Sequence, residues 1–205
     1  LAFALVVVIC TWRPRMPAKV AAVAAIGTIA GIGPMAKVAM SANYHATVAV
    51  DYTPSVRGGP IFCDVVISSK PIHYPFCDRD ADILLILDKN GALRASECVC
   101  HKTVCVVDTH TVSEPEAFIA NGRLFRCPFS KRADEHNISA VVNLIALGWL
   151  AKFLHQKASA MGLPVLADDY YGGVIQRMPK RIRGTNQQAF ELGAQLYQEA
   201  SCAFA

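Results

Sequence analysis

Two stretches of this chain are strand-length and apolar almost without interruption: Ile83-Leu-Leu-Ile-Leu87, and Thr103 to Val107, which ends at Asp108. A strand with one face in water alternates apolar and polar residues. A strand without alternation needs cover on both faces. Such strands rarely stand alone, and helical patterns lie between and after them. His136 to Leu154 carries Ile138, Val141, Val142, Ile145, Leu147 and Leu154, crowded enough for burial on most sides of a helix. Thr185 to Glu199 places Ala189, Phe190, Leu192, Leu196 and Tyr197 on one side of a final helix. Buried strands alternating with helices predict an α/β domain, with a mainly parallel sheet and helices on both faces.

The other elements follow from punctuation. Lys19 to Ala30 reads as a buried strand, Gly31-Ile-Gly33-Pro34 as a turn, and Met35 to Tyr44 as a short helix opened by the proline. Ala46 to Val50 is a second strand closed by Asp51, and Tyr52 to Pro60 is a loop. Phe62 to Ser68 alternates and continues to Pro71-Ile72 as a strand. Lys89 to Ala95 is a loop or short helix, and Phe118 to Phe125 a short helix running into an edge strand. Met161-Gly-Leu-Pro164 is a break. The expected organisation is an N-terminal extension (1–18), one domain (19–163) and a C-terminal arm with its helix (164–205).

Composition narrows the function classes. Of 205 residues, 53% are hydrophobic and only 18% charged, and mean hydropathy is +0.32. This excludes a disordered, collagen-like or coiled-coil chain. It leaves a membrane protein, or a subunit whose surface is covered by partners. The net charge of +4, without a basic run interleaved with aromatics, gives no case for nucleic acid. Leu1 to Cys10 is too short to cross a ~30 Å hydrocarbon layer. Val20 to Ala36 is uncharged and holds Gly27-x-x-x-Gly31, a close-packing motif of membrane helices. A buried strand running into a glycine turn explains the same residues.

The eight cysteines mostly sit inside apolar runs, as Cys63 and Cys105 do. There a thiol acts as a small hydrophobe, and the pattern reads as reduced cysteines in a cytoplasmic setting. Cys98, Cys100, His101 and Cys105 lie close in sequence, but their spacing matches neither a zinc ribbon nor a ferredoxin run. The six histidines form no recognisable dyad or triad, so no catalytic residue and no metal ligand is assigned. Asp168-Asp169 are sequence neighbours and point apart, and Lys180-Arg181-x-Arg183 is a basic run facing solvent or an acidic partner.

Two glycine motifs carry the candidate binding chemistry. Gly31-x-Gly33-x-x-Ala36 follows an apolar strand and opens a helix, and Asp51 falls twenty positions after Gly31. Glycines admit a pyrophosphate against the backbone, helix N–H groups receive it, and the acid takes a ribose hydroxyl. Any parallel α/β sheet also needs a glycine-lined first turn. In Ser55-Val-Arg57-Gly58-Gly59-Pro60, two glycines let the backbone approach a ligand or another chain, and the guanidinium forks onto a carboxylate or phosphate.

These motifs belong to an ordered set. Tyr52-x-Pro54-Ser55-Val56-Arg57-Gly58-Gly59, followed by Cys63-Asp64-Val65-Val66-Ile67-Ser68 and Pro71-Ile72, resembles the gamma subunit or domain of the 2-oxoacid:ferredoxin oxidoreductases. That family carries Tyr-Gly-Pro-Glu-x-Arg-Gly-Gly and then Val-x-Ile-Ser. Asp80-Ala-Asp82-Ile-Leu-Leu-Ile-Leu87 is similar to the family's next strand. Asn143-Leu-Ile-Ala-Leu-Gly148 and Asn186-x-x-Ala189-Phe190-x-x-Gly193 are similar to its last two helices. The likeness runs from about Lys19 to Glu199. It departs at Ala22 to Gly27, where Ala-Val-Ala-Ala-Ile-Gly stands in place of the family's Gly-x-Gly-Gly-Gln-Gly.

The resemblance implies a Rossmann-like fold and a place in a complex that oxidatively decarboxylates a 2-oxoacid, commonly to an acyl-coenzyme A. Pyruvate, 2-ketoisovalerate, 2-oxoglutarate and indolepyruvate enzymes share the pattern. It implies alpha, beta and delta-type partner subunits and ferredoxin as electron acceptor. Thiamine diphosphate, magnesium and iron–sulfur (4Fe-4S) clusters would sit in those other chains, with coenzyme A as co-substrate and no cofactor held firmly by this chain. Arg57, Gly58, Gly59 and Ser55, then Gly31 and Gly33, are the residues expected to meet coenzyme A or a partner. Two other readings compete: a self-standing NAD-binding oxidoreductase resting on Gly31, Gly33 and Asp51, and a membrane or interaction protein resting on Val20 to Ala36.

Overall fold

The computed structural model describes residues 5–9, 39–41, 43–52, 61–73, 81–89, 92, 95–117, 119, 122–161, 175–176 and 178–203. Among the described residues, six strands form one sheet: β1 (Leu5–Ile9), β2 (His45–Tyr52), β3 (Ile61–Ser68), β4 (Ile83–Ile86), β5 (Val104–Asp108) and β6 (Arg123–Cys127). Their order is β2-β3-β1-β4-β5-β6. β4, β5 and β6 are mutually parallel, and β1 is parallel to β3. β2 against β3, and β1 against β4, are antiparallel. The sheet is therefore parallel at three of its five pairings, and the domain is α/β as the apolar strands predict.

The missing alternation has the expected cause. Ile83, Leu85, Val104 and Val106 face one core, and Leu84, Ile86, Cys105 and Val107 face another. β3 is likewise buried from Cys63 to Ser68, Asp64 and Ser68 included. It does not extend to Pro71-Ile72. The Lys70 N–H donates to Ser68 Oγ at 3.0 Å, and this local turn takes the chain out of the ladder.

The two faces are covered differently. On the first, the long helices among the described residues are α1 (Phe129–Glu135), α2 (Val142–Met161) and α3 (Lys180–Ala203). On the second, the described cover is short: Ala92 and Ala95, the single turns Ser96–Cys98 and Pro115–Ala117, and Val112 and Ile119.

The helix expected from His136 begins six residues later. His136 closes α1 instead, its N–H donating to Arg132 O at 3.3 Å. Asn137 then takes φ 57°, the left-handed conformation that ends helices. The final helix starts at Lys180 rather than Thr185, directly after Pro179. Two segments expected outside the central domain contribute to it. Leu5–Ile9 is a strand in the middle of the sheet, and α3 lays Ala189, Leu192, Leu196 and Tyr197 into the main core.

The seam between α2 and α3 is backbone against backbone. A Cβ on Gly193 would stand 1.8 Å from Ile145 O, and one on Gly148 would stand 2.0 Å from Phe190 O. Each helix supplies the glycine that admits the other's main chain. Beside it, Trp149 stacks on Phe153 (centroids 5.5 Å apart) and meets Tyr197 edge-on at 5.2 Å.

Candidate functional site

In open α/β sheets, ligands favour the crevice beyond the carboxyl ends of the parallel strands. Here that end can be followed across the sheet. Tyr52 pairs with Ile61, and Ile61 with Leu5. One residue along, Val6 pairs with Ile86, Ile86 with Val107, and Val107 with Arg126. The carboxyl ends of β2, β4, β5 and β6 and the start of β3 therefore lie along one rim. Segment 53–60, which joins Tyr52 to Ile61, leaves and re-enters the sheet there.

The described part of this rim is built around Asp108, which is fully buried at the end of β5. Its Oδ1 accepts from the His110 N–H at 3.2 Å. Its Oδ2 accepts from the Ser130 N–H at 3.2 Å and from the Ser130 hydroxyl. Thr111 Oγ1 donates to Leu87 O at 2.8 Å, tying the end of β4 to the turn after β5. Desolvation pushes the Asp108 carboxyl above the ordinary carboxylate range, against the opposing pull of the Ser130 and His110 hydrogen bonds. Cys127, its neighbour across the ladder, has its thiol pushed up to about 12, first by burial and then by the Asp108 charge. This group organises the rim: the turn after β5 and the start of α1 are pinned to one carboxylate, Thr111 ties the end of β4 to the same turn, and the His110 side chain is exposed beside it. Motif reading missed Asp108 and Ser130. The available signal was an acid ending an otherwise apolar strand.

The sequence-predicted residues fall elsewhere. Ser55, Arg57, Gly58 and Gly59, and Gly31 and Gly33, lie outside the described residues, as do the expected strand at 19–30 and the turn at 31–34. The sheet does bear on the dinucleotide reading. That reading needs Asp51 at the end of a strand parallel to its neighbour in the sheet. β2 is instead the outer strand, antiparallel to β3, with β3 between it and β1. An acid that ends an outer strand antiparallel to its neighbour is not placed as in the dinucleotide-binding arrangement, whose acid ends a strand of a parallel sheet.

The cysteine cluster is also resolved. Cys98 and Cys105 are buried in the second core, and the Cys105 thiol is pushed up to about 12, chiefly by burial. Burial likewise pushes the Cys63 thiol upward. Metal ligation needs thiolate, which these environments oppose. Among the described residues no three His, Cys, Asp or Glu side chains lie close enough to share a metal ion. The described part of the chain does not fit an iron–sulfur cluster. No described helix is long and apolar enough to cross a membrane.

The same fold is found in solved structures of oxidoreductase subunits. The gamma subunit of a keto/oxoacid ferredoxin oxidoreductase from Geobacter sulfurreducens superposes with a TM-score of 0.66 over 97% of each chain, at 17% identity. The 2-oxoglutarate:ferredoxin oxidoreductase of Magnetococcus marinus, solved with 2-oxoglutarate, coenzyme A and succinyl-CoA bound, gives 0.67 at 17% identity. That match covers 96% of this chain and 31% of the longer one. In sequence, the 2-oxoglutarate synthase subunit KorC of Methanocaldococcus jannaschii is 25% identical over 158 residues, 77% of this chain and 80% of that protein. The family model described as pyruvate ferredoxin/flavodoxin oxidoreductase matches residues 18–196, and the chain belongs to that family.

Proposed function

We propose that this chain is the gamma-type subunit of a 2-oxoacid:ferredoxin oxidoreductase, forming the coenzyme A side of the active site. The observation that carries the reading is the rim. The Ser55–Gly59 segment closes the β2–β3 pair at the same end of the sheet as the carboxyl ends of β4 to β6. The relatives' names support the class of reaction, oxidative decarboxylation of a 2-oxoacid.

In this reading Arg57 receives a phosphate of coenzyme A, and Gly58 and Gly59 let the backbone approach it. Ser55 adds a hydroxyl contact, and Gly31 and Gly33 are the next residues expected to meet the ligand. The Asp108–Ser130 group holds the neighbouring loop ends still, so that the surface is preorganised. Thiamine diphosphate, magnesium and the iron–sulfur clusters belong to the alpha, beta and delta-type partners. They supply carbanion stabilisation and electron transfer, and ferredoxin takes the electrons away. The thiols of Cys105 and Cys127, pushed up by burial, support placing the clusters elsewhere. We place the assembly in the cytoplasm. The low charged fraction, 18%, suits a subunit whose surface meets partners.

The test is isolation of the intact assembly through a tag on this chain. Larger partner chains, iron, thiamine diphosphate and 2-oxoacid-dependent reduction of a viologen dye are expected. Arg57→Ala should raise the KM for coenzyme A roughly tenfold or more, as losing a charge-assisted contact of ~1.5–3 kcal/mol implies. The KM for the 2-oxoacid should stay unchanged. A colourless 22.1 kDa chain without partners refutes the subunit reading. An unchanged coenzyme A KM refutes the role of Arg57.

A further inference from the structure

The charge of this chain is unevenly placed. Between His136 and Phe190 stand six lysines and arginines against two acids, Asp168 and Asp169, a surplus of four. That equals the net charge of the whole chain, +4. α2 contains no acidic residue, and the first acid of α3 is Glu191. The helix seam brings the ends of this stretch together. Gly148 stands against Phe190 and Gly193 against Ile145, so the two helices run antiparallel. The same register brings Lys157, near the end of α2, level with Arg181, near the start of α3. Lys157, Lys180 and Arg181 are exposed, and among the described residues none of them has an acidic partner. Ile182 is exposed between Arg181 and Arg183, one of three large apolar side chains so placed among the described residues.

The opposite end of the domain is balanced. Arg132 of α1 pairs with Glu135 at 3.5 Å and with Glu199 of α3 at 3.7 Å, and Arg126 pairs with Glu116. α1 follows the carboxyl end of β6, so these pairs mark the rim. Lys180 lies about 28 Å along the helix axis from Glu199, at ~1.5 Å per residue, and so at the far end from the rim. Local stability does not explain the cations there. Lys180, Arg181 and Arg183 repel one another and the positive end of the helix. Of the three, Arg183 has a use within the chain: its guanidinium donates to Met178 O at 2.9 Å, in the turn before the helix. Unpaired cations around one apolar side chain suit an acidic surface, met through electrostatic complementarity. Permanent subunit interfaces bury broad apolar areas and are poor in lysine, whereas electron-transfer encounters are small and weak.

We infer that this end of the α2–α3 pair docks a small acidic protein that binds and leaves. Lys157, Lys180 and Arg181 face its carboxylates, and Ile182 supplies an apolar contact. The identity of that protein rests on the proposed function: the electron carrier, a ferredoxin, is the partner that must come and go at each turnover. The surface recruits the carrier and raises its local concentration, while the clusters that reduce it belong to the partner chains. Docking at this end leaves the coenzyme A side free.

The experiment uses the whole assembly, isolated through this chain with its own partners, and an acidic bacterial ferredoxin as the probe. The double variant Lys180→Glu, Arg181→Glu should raise the KM for ferredoxin roughly tenfold at low salt. The difference should vanish towards ~1 M salt, where the Debye length is ~3 Å. The KM for the 2-oxoacid and the rate with a viologen dye, which needs no docking surface, should not change. Ile182→Ser should raise the ferredoxin KM at every salt concentration. Lys131→Glu alters an exposed cation of α1 at the rim end and should leave that KM unchanged. An unchanged ferredoxin KM and salt dependence in the double variant overturns the inference. So does a comparable rise in Lys131→Glu, which reduces the effect to net charge. Loss of a partner chain from the double variant, seen as a lower native mass, assigns the surface to a subunit and also overturns it. A wild-type assembly that reduces no viologen refutes the proposed function instead, and ferredoxin titrated calorimetrically into wild type and double variant then still decides the docking.

Discussion

Replacing Gly193 by alanine asks whether α2 and α3 really touch through their backbones. Two effects oppose each other. Alanine is the better helix former by about 1 kcal/mol, so without other contacts the change would stabilise. The new methyl, however, would sit 1.8 Å from Ile145 O, 2.7 Å from Ile145 C and 2.8 Å from Trp149 N. An unstrained contact to such atoms is about 3.5 Å, so the helices must part by roughly 1.5 Å. None of the three atoms belongs to a side chain that could turn away. A gap of ~0.5–1 Å already forfeits a quarter to a half of each dispersion contact, and the seam includes Ala189, Leu192, Ile145 and Trp149. Overpacking typically costs ~1–3 kcal/mol, and a clash of main chain on main chain belongs at the upper end. The net expectation is a loss of ~2 kcal/mol or more, which lowers Tm by about 4–8 °C in a chain of this size.

Gly184 is the internal control. It lies in the same helix, is exposed, and has nothing within 4 Å of an added Cβ. Gly184→Ala should raise Tm by about 2–4 °C, since only the ~1 kcal/mol propensity gain applies. Thermal unfolding followed by circular dichroism, with the three proteins side by side, reads both signs. Gly148→Ala should resemble Gly193→Ala, and the double variant should lose less than the sum, because a seam already opened is open for both. If Gly193→Ala matches or exceeds the wild type in Tm, the close approach of the helices is wrong.

Three further outcomes follow from the core and the rim. Tyr197 OH is buried without a hydrogen-bond partner, so Tyr197→Phe should stabilise by about 1 kcal/mol, where loss of a satisfied hydroxyl would do the reverse; urea denaturation midpoints decide between them. The raised Asp108 means that the folded state binds that proton more tightly than the unfolded one, so its contribution is greatest in acid and falls as pH rises through the ordinary carboxylate value of ~3.9. Stability profiles of wild type and Asp108→Asn across acid and neutral pH should therefore diverge with that sign, and a wild-type advantage that grows with pH would refute it. Alkylation of the native protein at mildly alkaline pH should reach half-exposed Cys100 well before Cys105 and Cys127, whose thiols ionise only near pH 12, with peptide mapping as the readout.

How much of this was legible beforehand depended on where the determining information lay. Ile83–Ile86 and Val104–Asp108 were readable because two-sided burial leaves a local mark, an apolar run without alternation. The final helix was readable in its apolar stripe but not in its start. Lys180, Arg181 and Arg183 stand at the positive end of the helix dipole, against local preference, and Pro179 was the better signal. The start of α2 was misplaced because Ile138 belongs to the same core as the helix while Asn137 breaks the chain in between. Asp108 carried no motif, since its partner Ser130 is twenty-two residues away.

By its own residues the sequence determined the α/β class, the apolar strands, the glycine-bearing helices and, through its ordered motifs, the family. Each is a local pattern of side chains, written wherever an element must bury a face. Strand order and direction, the edge position of β2, the central place of Leu5–Ile9 and the common rim of segment 53–60 and Asp108 were decided only in three dimensions. So was the use of Gly148 and Gly193 as facing contacts. These depend on which elements meet, and meeting is a property of pairs far apart in the chain, to which no single segment commits.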